Sequence, residues 1–292
     1  MAEVHDDLRP LLFSIAYRMV GSVSEAEDIV QEAFLRYHRA DRDDVVVQTP
    51  KAYLSAITTR LAIDHLRSAR ARRETYVGPW LPEPLLADRG APDPGEQAER
   101  NDTLSLAFLV LLERLTPVER AAFVLREVFA YPYDEIAAVI ERSEDNARQL
   151  VSRARRHVDA GRPRFEVSRE RHEELTERFI RASLDGDTDG LVALLAADVV
   201  AYADSDGKVK AVHKPIEGAD KVARLMVAIS RPDRGAAGVI IEPAFVNGQP
   251  GRVVRDEATG AVQGVLSLEV SGDRIRAVRI VLNPEKLAGI GP

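Results

Sequence analysis

Apolar positions in the first part of the chain recur at the three- and four-residue spacing of amphipathic helices. The first apolar stripe comprises Leu8, Leu11, Leu12, Ile15, Met19 and Val20. Gly21 is predicted to end this helix, and the capping-box pair Ser24 and Glu27 to begin the next one. Thr49 and Pro50 predict the start of a third helix. Its expected core contacts are Tyr53, Leu54, Ile57, Leu61 and Leu66. Residues 1–73 are therefore predicted to form a helical domain.

A second helical domain is predicted at residues 101–160, after a proline-rich linker at 74–100. Thr116, Pro117 and Glu119 combine an N-cap, an N1 proline and a capping-box glutamate, so a helix is expected to begin there. The apolar residues of 136–140 predict another short helix, and Ser143 is placed to cap the helix that follows. Residues 134–156 therefore predict a helix-turn-helix.

The second helix of this motif carries groups that bond base edges and phosphates. Ala147, Leu150, Val151 and Ala154 share one apolar face. The candidate DNA-binding residues lie elsewhere on the helix: Asn146, Arg148, Gln149, Ser152, Arg153, Arg155 and Arg156. Arg and Gln can bond base edges bidentately. The best candidates for base contacts are Arg148, Gln149, Ser152 and Arg153, and Arg155 and Arg156 are better placed for phosphates. A helical hairpin that binds protein is the alternative interpretation.

The pattern changes at residues 169–288, where β-rich runs follow two helical segments. Strands are predicted at 199–203, 238–246, 252–255, 262–270 and 274–282, with a helix at 219–229. Turn sequences at 247–248 and 271–273 predict hairpins. The predicted tail is an α+β domain with a meandering antiparallel sheet, so the whole chain is multidomain, with two all-α domains before an α+β domain.

Charge and composition exclude several classes of protein. The chain has no cysteine, which excludes disulfides and thiolate metal sites and suits a cytoplasmic location. Its net charge of −7 argues against a uniformly basic DNA binder, yet basic patches occur at 60–73 and 148–164. No apolar run approaches the roughly 18 residues of a membrane span, and the acidic N-terminus is not that of a signal peptide.

Two motifs resemble those of bacterial sigma factors. The string AEDIVQEAF at 26–34 resembles region 2, and residues 115–156 resemble region 4. With no other sigma region between them, the chain resembles the extracytoplasmic-function (ECF) group of the sigma-70 family. This implies core RNA polymerase and promoter DNA as partners, and no enzymatic activity of the chain's own. Glu141 stands where the family often has glycine, so either the turn tolerates it or the turn geometry is altered.

The resemblance assigns roles to two further surfaces. Asp28, Gln31, Glu32 and Leu35 share one face of the second helix, and the matching face of sigma factors binds the coiled coil of the largest polymerase subunit. Arg60, Asp64, Arg67 and Arg70 lie on the third helix, where sigma factors recognise and open the minus-ten element. The helix-turn-helix corresponds to the reader of the minus-thirty-five element. An ordinary solvated surface is the alternative for both helix faces.

The tail resembles a SnoaL-like domain, a cone-shaped α+β fold of the nuclear-transport-factor superfamily. Three strings resemble those of sigma factors fused to such a domain: WLPEP at 80–84, DSDGK at 204–208 and NPEKL at 283–287. The residues implied in regulatory contacts between domains are Trp80, Leu81, Pro82, Asp204, Gly207, Lys208, Asn283, Pro284 and Lys286. SnoaL-like enzymes use a buried Asp or His, for which Asp204 and His213 are the candidates, but we assign no catalytic residue.

Two functional hypotheses follow. The first is a promoter-specificity subunit of RNA polymerase, monomeric when free and regulated in cis by its tail. The second is a one-component DNA-binding regulator whose tail binds or transforms a small molecule. The second would bind duplex DNA without polymerase, whereas an acidic sigma factor is expected to bind it poorly alone. No metal or cofactor is predicted, and a small-molecule ligand of the tail is left open.

Overall fold

The computed structural model describes residues 2–42, 47–73, 76–87, 103–161, 167–231 and 238–291. The chain divides into two compact units. One, the helical unit, comprises Met1–Thr75 and Phe108–Arg162, and the other, the tail unit, comprises Tyr76–Ala107 and Pro163–Pro292. Residues 108–160 of the second predicted helical domain thus belong to the same unit as the first domain, whereas residues 76–107, which include most of the predicted linker, belong with the tail. The domain limits drawn from sequence stay a prediction.

Three helices form the first part of the helical unit: α1 (Ala2–Val20), α2 (Val23–Arg42) and α3 (Pro50–Arg73). Gly21 follows α1 with a φ of 72°, a left-handed conformation that glycine adopts without steric cost. The predicted Ser24–Glu27 capping box is wrong, because α2 begins earlier. The Ser22 hydroxyl accepts a hydrogen bond from the Glu25 amide at 3.4 Å, so Ser22 supplies the cap.

Four helices complete this unit: α4 (Leu106–Leu112), which starts in the tail unit, α5 (Pro117–Phe123), α6 (Tyr133–Ile140) and α7 (Glu144–Asp159). A π-helical turn, Val124–Val128, continues α5. The capping box of Thr116 and Glu119 is confirmed, as is the Ser143 cap of α7. Glu141 lies between α6 and α7 at φ 56° and ψ 52°, so the turn holds a non-glycine residue in left-handed conformation.

Small polar residues of α3 are buried because α5 and α6 pack against this helix. Ser55, Thr58 and Thr59 are fully buried, whereas Tyr53, Ile57 and Leu61, predicted as core, are only partly buried. The Tyr131 hydroxyl lies 2.8 Å from the Ser55 hydroxyl. The predicted core face of α3 was therefore incomplete, and at Ser55 one of the burying contacts comes from Tyr131 of the second helical segment.

In the described residues of the tail unit, one mixed sheet packs with four helices. The helices are α8 (Arg169–Asp185), α9 (Thr188–Leu194), α10 (Ala219–Ile229) and α11 (Pro284–Leu287). The strands are β1 (Leu86–Ala87), β2 (Leu195–Asp204), β3 (Ile216–Glu217), β4 (Val239–Val246), β5 (Gln249–Asp256), β6 (Val262–Ser271) and β7 (Arg274–Val281). Their order is β1-β4-β5-β6-β7-β2-β3.

The predicted fold class, two all-α segments before an α+β tail, is confirmed. Phe179 of α8 and Met226 of α10 pack with Leu268 of β6 in the main core of the tail. The purely antiparallel meander is a correction, because β2 runs parallel to β7. β4 to β7 do form an antiparallel meander, joined at the predicted Asn247-Gly248 and Gly272-Asp273 turns. The linker adds β1 to the sheet edge, paired with Val246 and Phe245.

Candidate functional site

The second helix of the helix-turn-helix presents its polar groups to solvent. Ala147, Leu150, Val151 and Ala154 of α7 are buried against the rest of the helical unit. Six of the seven predicted DNA-binding side chains are exposed and Asn146 is half-buried. Because one face is buried, the exposed residues project together, as insertion of a helix into the major groove requires.

Three arginines of α7 are held by neighbouring carboxylates. Arg153 pairs with Glu119 at 2.7 Å, and Arg155 pairs with Glu127 at 2.7 Å. The hydrogen bond from Arg155 to Glu127 raises the pKa of Arg155 above its ordinary value. Arg148 pairs with Glu144, and its guanidinium lies 4.3 Å from the centre of the Tyr133 ring. These contacts restrict the positions that the three guanidinium groups occupy before DNA is bound.

Arg60, predicted to contact the downstream element, is engaged by the helix-turn-helix. Its guanidinium donates to the carbonyls of Val139 at 3.0 Å and Ala138 at 2.8 Å, at the end of α6. Asp64 and Arg67 are exposed and form an ion pair with each other at 3.3 Å. Arg70 lies in α3, but its side chain is outside the described residues. In this conformation, then, α3 contacts the first helix of the helix-turn-helix through Arg60.

A second contact between the helical segments is fully buried. The Arg120 guanidinium donates to the Met19 carbonyl at 2.5 Å and to the Glu113 carboxylate at 2.6 Å. Burial lowers the pKa of Arg120 to about 9. The Met19 carbonyl lies in the last turn of α1, so Arg120 ties that turn to α5.

The candidate polymerase-binding face of α2 is accessible. Asp28, Gln31 and Leu35 are exposed, and the Leu35 side chain is 45 % exposed. Glu32 accepts a hydrogen bond from Arg36 at 2.8 Å, which lowers the pKa of Glu32 below its ordinary value. The side chains predicted to contact polymerase at Asp28, Gln31 and Leu35 are therefore available to a partner.

The three strings predicted to make regulatory contacts converge on one buried carboxylate in the tail unit. Asp204 ends β2 and is 0 % exposed. One of its oxygens accepts the Leu81 amide at 2.7 Å and the Lys286 ammonium at 2.7 Å, and the other accepts the Tyr76 hydroxyl. Asp204 therefore ties the linker to the end of the tail. We call the cluster of Asp204, Tyr76, Leu81 and Lys286 the latch.

Lys286 joins the linker by further contacts. Its ammonium donates to the Leu81 carbonyl at 2.5 Å and lies 4.3 Å from the centre of the Trp80 ring. Asn283 caps α11 and donates its amide to the Tyr76 hydroxyl at 3.0 Å. Burial, reinforced by Asp204, raises the pKa of the Tyr76 hydroxyl well above its ordinary value. The linker tryptophan thus covers the ammonium group of the ion pair.

The DSDGK string also contacts the linker. The Val77 amide donates to the Asp206 carboxylate at 3.2 Å. Gly207 has a φ of 67°, a left-handed conformation that favours glycine, and a Cβ there would meet the Val77 side chain at an ordinary contact distance of 3.4 Å. Lys208 lies outside the latch and pairs with Glu285 at 2.6 Å and Asp206 at 3.3 Å. The hydrogen bond to Glu285 raises the pKa of Lys208.

Asn247 is a linker contact that the sequence analysis missed. It is fully buried, exchanges hydrogen bonds with the Leu85 backbone at 2.7 and 3.0 Å, and donates to the Leu104 carbonyl at 3.1 Å. The Asn-Gly pair predicted only a hairpin turn, and Asn247 does adopt a φ of 52° there. Tyr76 was missed as well, because nothing local marks a hydroxyl that bonds a carboxylate far along the chain.

The two candidate acid/base residues of the tail are not brought together. Asp204 is sealed in the latch, and His213 is exposed, with its backbone beneath Gly78. A cavity of about 390 Å³ lies between the start of α8 and strands β4 and β5, lined by residues such as Arg169, Glu173 and Phe245. Neither candidate lines it. Over the described ranges, no cluster of His, Asp and Glu has the arrangement of a metal site.

Comparison with known families matches both helical segments. The profile of Sigma-70 region 2 matches residues 4–72, and that of Sigma-70 region 4 matches residues 105–158. In the part of the chain that the structure describes, no helix has both the length and the apolar character needed to span a membrane.

Two relatives from Mycobacterium tuberculosis are similar over nearly the whole chain. The ECF RNA polymerase sigma factor SigJ is 39 % identical over 294 residues, covering 97 % of this chain and 91 % of that protein. The probable ECF RNA polymerase sigma factor SigI is 35 % identical over 282 residues, covering 96 % and 92 %. The crystal structure of the M. tuberculosis SigJ superposes with a TM-score of 0.78 at 35 % identity, covering 99 % of both chains.

Proposed function

The chain belongs to the extracytoplasmic-function sigma factors of RNA polymerase, and on this basis we propose that it selects promoters under the control of its own tail. Core RNA polymerase and promoter DNA are its partners. The observation that carries the regulatory part is the latch, in which Asp204 and Lys286 of the tail hold Leu81 of the linker. The polymerase supplies the chemistry, and the chain acts with it in the cytoplasm without catalysis of its own.

Promoter binding requires the two helical segments to separate. Elements centred about 10 and 35 base pairs upstream of the start lie roughly 85 Å apart, at ~3.4 Å per base pair. Arg60 of the downstream reader instead bonds α6 directly, and α7 extends only about 24 Å for its 16 residues at ~1.5 Å each. One chain in this closed form cannot place both readers on their elements at once.

The latch opposes this separation by holding the linker. Residues 76–107 join the two helical segments, and a free chain of that length reaches roughly 100 Å at ~3.3 Å per residue. A linker fixed to the tail through Leu81, Leu85 and Leu104 lacks that reach. We therefore assign the latched state to the restrained form of the sigma factor, and release of the linker to its activation.

The one-component regulator is not favoured, because the SigJ and SigI proteins that match nearly the whole chain are sigma factors. A small-molecule ligand in the cavity at α8, β4 and β5 is compatible with either function, since such a ligand would act on the tail. It does not distinguish the two hypotheses. The two hypotheses are distinguished by whether DNA binding by the chain requires core polymerase.

The test combines binding to core polymerase with DNA binding. The full chain is expected to co-elute with core RNA polymerase, and to retard promoter DNA only when that polymerase is present. The wild-type chain is compared with the Leu35→Glu variant, which places a charge on the exposed α2 face. This variant is expected to weaken co-elution with core polymerase without unfolding the chain. Retardation of duplex DNA by the chain alone, with no binding to core polymerase, would overturn the proposal.

A further inference from the structure

The first residue of α6, Tyr133, lies between two arginines of the helix-turn-helix. The Arg148 guanidinium carbon is 4.3 Å from the centre of the Tyr133 ring, and the Arg126 guanidinium carbon is 4.6 Å from it. Arg148 comes from α7, whereas Arg126 comes from the π-helical turn after α5. One aromatic ring thus joins three separate elements of the DNA-reading segment.

Polar contacts hold the same two arginines from their other sides. Arg148 pairs with Glu144, one turn earlier in α7, and Arg126 donates to the Tyr131 carbonyl at 2.9 Å. The Arg148 side chain nevertheless remains 55 % exposed. Its guanidinium is therefore held in place while part of it stays open to solvent.

We propose that Tyr133 is a positioning residue for recognition of the upstream promoter element, acting through Arg148. A guanidinium that lies over a ring uses its flat face, which leaves the N–H groups that Glu144 does not hold available for a base or a phosphate. A long side chain that is already ordered also loses less conformational entropy when it binds. Tyr133 itself need not touch DNA for this effect.

The inference rests on the proposed function, because it requires α7 to read promoter DNA within the polymerase complex. It adds a residue outside α7 that none of the DNA-binding assignments includes. Tyr133 precedes the polar turn of the motif and lies on the helix that packs behind the reading helix. Its contribution would therefore be missed by substitutions confined to α7.

The experiment uses core RNA polymerase reconstituted with the full chain. The probe is a pool of DNA duplexes with a randomised upstream segment, from which the wild-type complex selects a preferred sequence. Affinity for the selected duplex is then measured at low salt for Tyr133→Leu, Tyr133→Phe, Arg148→Ala and the double variant Tyr133→Leu/Arg148→Ala. Thermal unfolding of each free chain checks that the variants fold.

The expected loss of affinity is about fourfold for Tyr133→Leu, a size typical of an exposed guanidinium–aromatic contact. Tyr133→Phe keeps the ring and is expected to stay within about twofold of wild type, because the stacking survives. In the Arg148→Ala background, Tyr133→Leu is expected to have no further effect.

Two results would overturn the inference. One is a loss with Tyr133→Phe as large as that with Tyr133→Leu, since the hydroxyl would then act directly. The other is an unchanged loss in the Arg148→Ala background, since Tyr133 would then act through something else. If the wild-type complex selects no sequence at all, the proposed function fails instead, so the two failures are distinguishable.

Discussion

Replacing Lys286 with methionine removes the ammonium of the latch and keeps a side chain of similar length. Asp204 is 0 % exposed, so its carboxylate would lose its cation without gaining water. The Leu81 amide and the Tyr76 hydroxyl would remain as its hydrogen-bond donors. Breaking one side of a buried ion pair costs about 3–5 kcal/mol, and we expect the lower end because those two donors persist.

The free energy that docks the linker is therefore expected to fall by about 3 kcal/mol, which corresponds to roughly 150-fold more frequent opening. The assay is amide hydrogen exchange of the full chain, followed at the Leu81 amide, which donates to Asp204. The Leu85 amide is held separately by Asn247 and is expected to accelerate less.

Lys208→Met is the matched control, because Lys208 pairs with Glu285 and Asp206 at a partly exposed position beside the latch. Pairs of that kind contribute within about 1 kcal/mol. The reasoning is refuted if Lys286→Met accelerates exchange at Leu81 no more than Lys208→Met does. It is also refuted if both substitutions leave the Leu81 amide as protected as in wild type.

Three further predictions concern other parts of the chain. Burial lowers the pKa of His172 to about 4 from an ordinary 6.5, so the unfolded chain takes up the proton more readily. The free energy of unfolding of the tail unit is therefore expected to fall by up to about 3 kcal/mol as the pH drops from about 6.5 to about 4. In thermal unfolding, His172→Gln is expected to make the stability depend less on pH over this range. Arg120→Met removes one hydrogen-bond donor from the Met19 carbonyl and one from Glu113, and is expected to destabilise the helical unit by about 3 kcal/mol in urea unfolding. An unchanged midpoint of unfolding would contradict the argument from burial. Lys51 and His157 are both exposed in a chain without cysteine, so Lys51→Cys and His157→Cys provide sites for two fluorophores. The distance between the fluorophores is expected to increase by tens of ångströms when the polymerase complex binds a promoter whose two elements lie ~85 Å apart. A constant distance would contradict the separation of the two readers.

Local signals predicted the helix starts because the deciding atoms are neighbours in sequence. The Thr116 and Glu119 capping box and the Ser143 cap each join groups three residues apart. The same reasoning failed at Ser24, because Ser22, beside Gly21, offers an equally suitable hydroxyl two residues earlier. Which of the two serines caps α2 depends on where α1 ends, and the two serines do not themselves indicate that position.

Contacts between distant segments account for what sequence reasoning missed. The parallel pairing of β2 with β7 has no turn signal, because Val200 pairs with Ala277 far along the chain. The burial of Ser55 depends on Tyr131, which belongs to the other helical segment. Asp204 lies in a turn-like string, yet its partners Tyr76 and Leu81 lie 128 and 123 residues away.

The latch strings themselves were identified by their resemblance to a family, and the chemistry that joins them follows only from the structure. A buried carboxylate requires a cation, and Lys286 supplies it while Trp80 covers it. The roles assigned to the DNA-binding, polymerase-binding and regulatory residues stay predictions. Their positions on exposed faces of α2 and α7, and at the latch, define which substitutions test them.

Promoter-directed transcription tests the central claim most directly. Core RNA polymerase, the full chain and the promoter selected by their complex are expected to yield a transcript that is absent without the chain. Lys286→Met is expected to increase that transcript, because it releases the linker, while Lys208→Met leaves it unchanged. No transcript from either the wild-type or the Lys286→Met complex would contradict the sigma-factor function, and equal or lower transcription with Lys286→Met than with wild type would contradict restraint by the latch.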